Sequence, residues 1–179
     1  ATPPGIDSVA NVCSHCHVVT AELFAESAHE PAFAELGMPA CVTCHGNHDV
    51  MKPSDAMLTG GEGTPCATCH EANSVPLNKA AQLRTMVEGL SSQIDRATAI
   101  LTRAEHAGME IGAPRFELLA AKESLIKART ETHSLKIEQV KAATDPGFIV
   151  AEKSLKSGQD LLTELQFRRK GLVVSMLVI

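Results

Sequence analysis

Cys41-Val42-Thr43-Cys44-His45-Gly46-Asn47-His48 is a Cys-x-x-Cys-His run with a second histidine three residues further on. The run recurs as Cys13-Ser14-His15-Cys16-His17 and as Cys66-Ala67-Thr68-Cys69-His70, and together the three use all six cysteines of the chain. Two thiols at this spacing can add to the two vinyl groups of one porphyrin, and the adjacent histidine then meets the iron as an axial ligand. The pattern predicts three covalently attached haem c groups, held by Cys13 and Cys16, by Cys41 and Cys44, and by Cys66 and Cys69. Paired Cys-x-x-Cys units also write a zinc–thiolate site, and a single one a redox dithiol. Neither chemistry requires a histidine after the second cysteine, yet here one follows every time in a chain with only eight histidines.

Composition agrees with a chain folded around cofactors. There are five Phe and no Tyr or Trp among 179 residues, which argues against an ordinary aromatic core. Porphyrins are large, flat and apolar and can take that place. The net charge of −5 is unevenly spread: residues 1–78 hold nine acids and Lys52 alone as a base, whereas 79–179 hold twelve acids and fifteen bases. An acidic first part excludes nucleic acid as its partner and suits docking to a basic patch on a redox protein.

Residues 1–78 read as a loop-rich multihaem head: an irregular arm over 1–12, a short helix within Val18–Ala34 limited by Pro31, then short turns between Gly37, Pro39, Gly46, Pro53, Gly60, Gly61, Gly63 and Pro65. At Pro76 the character changes. Leu83, Val87, Leu90, Ile94, Ala97, Leu101 and Ala104 step by four and three, which predicts one buried seam on a helix over 79–107. Gly108, Gly112 and Pro114 end that helix and start a second over 115–143, with Leu118, Ala121, Leu125, Ala128 and Leu135 in its seam. Asp145-Pro146-Gly147 reads as the next break, followed by a third helix carrying Phe148, Ala151, Leu155, Gly158, Leu162 and Leu165. The expected fold is thus mostly α, a haem head over 1–78 followed by a three-helix antiparallel coiled-coil-like bundle over 79–170. After Arg168-Arg169-Lys170, residues 171–179 are uncharged and apolar. They are too few to cross a bilayer, which takes about 20 residues, and read as the opening of a membrane anchor continuing past the given sequence, with a buried helix end as the alternative. Covalent haem is attached after export, so a periplasmic or extracytoplasmic location is expected, with Ala1-Thr2-Pro3-Pro4 fit to be a mature start.

His17, His45 and His70 are the ligands supplied by the runs themselves. Five histidines remain for the second axial positions. His48 cannot bend back onto the iron of His45 and points to a neighbouring haem. His29 stands midway between the first two runs. His133 falls near Ile126, Ile137 and Val140 on a face bordering the helical core, as a core histidine or as a ligand reaching a haem; His106 lies two residues past the seam and is expected in solvent. His15 is confined between two cysteines, and Met38, Met51 and Met57 are further alternatives without a spacing that favours them.

The three runs, Ser27-Ala28-His29 and Cys44-His45-Gly46-Asn47-His48-Asp49 resemble the multihaem c-type cytochromes of anaerobic and metal- or nitrogen-respiring bacteria. The resemblance covers about residues 8–72. It implies His29 and His48 as distal ligands, closely packed bis-histidine haems and low potentials. The helical part, with Ala128-Arg129 before His133-Ser134 and Leu165-Gln166-Phe167-Arg168-Arg169 before an apolar run, resembles membrane-tethered members that carry a helical module. The chain lacks the Cys-x-x-Cys-Lys variant of the cytochrome nitrite reductases, which argues against that enzyme. The function expected is electron transfer rather than catalysis, with redox proteins or a membrane respiratory complex as partners and homo- or hetero-oligomers within its reach. The alternative is a haem with an open axial site, acting as a small-molecule reductase or sensor.

Overall fold

The computed structural model describes residues 9–61 and 63–178, and these are mostly helical, with no strand among them. The helices are α1 (Val9–Ser14), α2 (Val18–Ala25), α3 (His29–Leu36), α4 (Val42–His45), α5 (Val75–His106), α6 (Gly112–Glu131) and α7 (Ile137–Val178). Short 3-10 turns occupy Asp55–Met57, Cys66–Thr68 and Thr132–Ser134. Residues 1–8 of the expected irregular arm, and the mature start within it, lie outside the described residues; its remaining residues open α1. The single helix expected within 18–34 is two, because Pro31 sits in the first turn of α3, where its missing N–H costs nothing.

The seam read from the spacing is buried. Leu83, Val87, Leu90, Ala97 and Ala104 are fully enclosed, with Ile94 and Leu101 nearly so, and in α6 Leu118, Ala121, Leu125 and Ala128 are buried at the same step. Helix α5 starts at Val75, with Pro76 in its first turn, and stops at Gly108, whose φ of +85° suits glycine. There the N–H of Met109 reaches the carbonyl of Ala104 at 3.0 Å and that of Gly108 reaches Glu105 at 2.9 Å, a Schellman closure.

The second boundary lies elsewhere than expected. The chain leaves the helix at Thr132, not at Asp145, and α7 runs unbroken through Pro146. Around residue 132, hydroxyls compete with the helix for its carbonyls: Thr132 Oγ1 donates to Arg129 O and Ser134 Oγ to Glu131 O, both at 2.7 Å, and Leu135 turns into left-handed backbone at φ +56°. Pro146-Gly147 stays helical because packing outweighs the local preference. A Cβ on Gly147 would lie 2.8 Å from both Leu90 Cδ2 and Ser124 Cβ, so the glycine permits close approach of helices rather than a turn.

The chain falls into two compact units. One comprises Ala1–Glu88 with Ile126–Ala143 and holds all three Cys-x-x-Cys-His runs; the other comprises Gly89–Leu125 with Thr144–Ile179. Within the second unit, the Gln93 amide bonds Glu152, Ser154 Oγ donates to Pro114 O at 3.3 Å, and Lys153 pairs with Glu117 at 2.8 Å.

The expected membrane anchor is corrected. Among the described residues no helix is long and apolar enough to cross a membrane. Gly171 onward forms the last turns of α7, and the turns before them carry Glu164, Arg168, Arg169 and Lys170, so the apolar stretch is cut short by charge. It is not a buried helix end either, since Leu172, Val173, Val174, Met176 and Leu177 are exposed.

Candidate haem-attachment site

The three runs adopt one local fold. In each, the histidine N–H reaches the carbonyl of the first cysteine, His17 to Cys13 at 3.0 Å, His45 to Cys41 at 3.1 Å and His70 to Cys66 at 3.0 Å. The second cysteine's N–H reaches the same carbonyl, at 3.2, 3.3 and 3.4 Å respectively. A single helical turn therefore sets both thiols and the imidazole on neighbouring positions of one face, as positions i, i+3 and i+4 must be. No run contains Gly or Pro; the punctuation lies outside, with Pro65 opening the third turn and Gly46 closing α4.

All six thiols are free. Burial, and then the neighbouring Cys13 thiol, pushes the Cys41 thiol above its ordinary range. Burial followed by the nearness of Cys66 and Cys69 does the same for Cys44. Cys13 neighbours Cys41, and Cys66 and Cys69 neighbour Cys44, so the middle run adjoins the first through Cys41 and the third through Cys44.

Two pairs of histidines face each other. The rings of His29 and His70 have centroids 6.0 Å apart with planes 17° from parallel. Those of His45 and His133 lie 6.1 Å apart at 25°. Metal–imidazole nitrogen bonds are about 2 Å long, so two rings on opposite sides of one metal have centroids about 6 Å apart. A porphyrin would leave two positions on its iron, so two histidines would complete the protein's contribution to one haem. Among the described residues, no group of three or more His, Cys, Asp or Glu is gathered to hold a bare metal ion, as a zinc–thiolate site would be. The residues fit haem.

His29 is placed by the start of α3. Its N–H donates to Ser27 Oγ at 3.2 Å, its ring stacks on Phe33 at 5.3 Å, and Phe24 packs on Phe33 at 5.7 Å. Burial, then His70, lowers the His29 pKa; burial, then His133 and His17, lowers that of His45, so both stay neutral and able to ligate at lower pH than an exposed histidine. His133 sits on the Thr132–Ser134 turn, not on a helix face, and its Nδ1–H donates to Thr130 O at 3.0 Å. Arg129 grips Asp55 through two bonds of 2.9 and 2.7 Å on one side of this turn, and Lys136 pairs with Glu26 at 3.6 Å on the other.

His17 is exposed, as is His48 on the bend after α4. The structure brings neither into a ring pair among the described residues. His15 is exposed with its ring on Asn11 O, and His106 ends α5 in solvent. Sequence reasoning missed the residues that place two of the candidate histidines, Phe24 and Phe33 beside His29 and Arg129 and Asp55 near His133. Two of only five phenylalanines flanking one histidine was a signal available in the sequence. Comparison of the chain with protein-family profiles, with curated proteins and with solved structures finds no match, so the reading rests on these residues alone.

Proposed function

We propose that this chain is an extracytoplasmic electron carrier with three covalently bound haem c groups. The observation that carries the reading is the same Cys-x-x-Cys-His turn built three times, and the His29–His70 and His45–His133 ring pairs, with centroids 6.0 and 6.1 Å apart, support it. An iron with two strong protein ligands has no position for a substrate, and the bound haem supplies one-electron ferric–ferrous chemistry. The protein's part would be to hold and shield: each Cys pair would hold a porphyrin edge and the histidine of its run the iron, with the middle run's thiols neighbouring those of the other two. The acidic head suits a basic redox partner, whether a soluble protein or a subunit of a respiratory complex. The three long helices serve as an antiparallel bundle that carries the head.

His48, exposed and outside both ring pairs, is the expected ligand left for a neighbouring haem, and His17 is the histidine of the first run. The alternative, a reductase or sensor, follows if an axial position is open. Low-temperature EPR of the oxidised protein, with optical spectra of the reduced form before and after carbon monoxide, tests this. Three low-spin haems indifferent to carbon monoxide are expected. One high-spin, carbon-monoxide-binding haem in three overturns the carrier reading in favour of chemistry at the first iron.

A further inference from the structure

We propose that copies of this chain associate head to tail, the free end of α7 in one copy lying on the acidic surface of α2 and α3 in the next. The inference rests on the function proposed above and deepens it, by naming the basic partner that the acidic head would meet.

Within its own compact unit α7 outruns α5. Contacts between the two helices keep a nearly constant offset: a Cβ on Gly89 would lie 3.3 Å from Phe148, Gln93 bonds Glu152, and a Cβ on Gly158 would meet Ile100 and Leu101. At that offset His106, the last residue of α5, is level with Glu164, so residues 165–178 run on past it for about 21 Å. Every residue across 166–177 is exposed, and Leu172, Val173, Val174, Met176 and Leu177 are 57–81 % exposed. A helix apolar on all its sides is ordinarily covered, and no described helix is long and apolar enough for a bilayer to do it.

Charge points to what does. Across 165–178 there are three bases, Arg168, Arg169 and Lys170, and no acid. Arg168 pairs with Glu164, whereas Arg169 and Lys170 meet no carboxylate among the described residues. The α2–α3 segment has the opposite sign: Glu22, Glu26, Glu30 and Glu35 are all exposed, and no Lys or Arg precedes Lys52. Of these four only Glu26 has an ion pair among the described residues, with Lys136 at 3.6 Å. Helix α3 also presents Leu36, 70 % exposed, as an apolar contact. Two α7 ends side by side would repel, but an α7 end on the acidic surface gains both charge pairing and apolar cover. The two surfaces differ, so the contact is heterologous and grows past a dimer unless its rotation closes a ring.

The test is sedimentation velocity of the full chain, with covalent haem counted by the pyridine haemochrome assay. At low salt, dimers and larger species should grow with concentration, and about 1 M salt, which cuts the screening length to about 3 Å, should return them to single 19.0 kDa chains with their haems. Arg169→Glu/Lys170→Glu and Glu30→Lys/Glu35→Lys should each weaken association at least about tenfold. Mixing the two variants should restore it, because the altered surfaces are again opposite in charge, and that rescue also shows that both variants fold. A native chain that stays monomeric overturns the proposal, while three low-spin haems in the same sample leave the carrier reading standing. Undiminished association of Glu30→Lys/Glu35→Lys by itself overturns it in favour of α7 pairing with α7. A monomer that co-sediments with phosphatidylglycerol vesicles overturns it in favour of a lipid surface. Native protein that associates and is rescued in this way but holds no covalent haem would support the contact and overturn the carrier reading, so the two failures are distinguishable.

Discussion

The residues that carry the haem runs and the residues of the long helices solve the burial problem differently. Across 10–74, Ser27 is the one side chain among those described that reaches full burial, and Val12, Val18, Val19, Leu36, Val50 and Met51 are exposed. Across 77–104 a buried aliphatic or alanine recurs at every turn of α5. Both regions are helical, so helix content is not what separates them. A short helix of six or eight residues cannot hold itself together in water, and without a side-chain core it needs another apolar body to fold on. On the proposed reading three porphyrins would supply that body, whereas the long helices supply their own.

The largest expected consequence is that the first region would depend on the proposed haems. A chain with all six cysteines changed to alanine, unable to keep covalent haem, should lose hydrogen-exchange protection across 10–74 while the amides of 90–104 retain theirs. Equal protection in both regions, with and without haem, would mean that the head has a core of its own and would remove the contrast.

A change of intermediate size should appear where the side-chain core lies. Leu90 is fully buried, and Leu90→Ala should cost about 2–5 kcal/mol in denaturant unfolding of the haem-loaded protein, through lost transfer free energy and the cavity left behind. Val12 is 58 % exposed, and Val12→Ala should stay within about 0.5 kcal/mol. Similar costs at the two positions would show that haem and aliphatic packing merge into one core.

The same contrast decides what could be read from sequence. The α5 seam was legible residue by residue because a buried stripe must repeat with the helical period, and the Cys-x-x-Cys-His runs were legible as a repeated spacing that one helical turn accommodates. The boundary between α6 and α7 was not. Asp145-Pro146-Gly147 carries the stronger local breaker signal, but Gly147 is required by its contact with Leu90 and Ser124, while the actual break at Thr132–Ser134 is made by hydroxyls bonding back to carbonyls. That misplaced boundary put His133 on a helix face instead of a turn. The ring contact of His45 with His133 was likewise out of reach, since the turn that carries His133 is tied down by ion pairs such as Arg129–Asp55 between residues remote in sequence.

The smallest expected effect sharpens the comparison most finely. The Arg129–Asp55 pair is bidentate but its arginine is about half exposed, and such pairs contribute about 0.2–1 kcal/mol, so Arg129→Ala should barely move the unfolding midpoint of the haem-loaded protein. If the iron holds the Thr132–Ser134 turn, the variant should also leave every haem low-spin, because a metal–imidazole bond outweighs a half-solvated ion pair. In the haem-free chain the same substitution should loosen the turn, read as faster exchange at Leu135 and Lys136, whose N–H groups bond within it. A high-spin haem appearing in Arg129→Ala with haem present would reverse that ranking. The ion pair would then position the ligand, and protein side chains rather than the cofactor would fix this edge of the head.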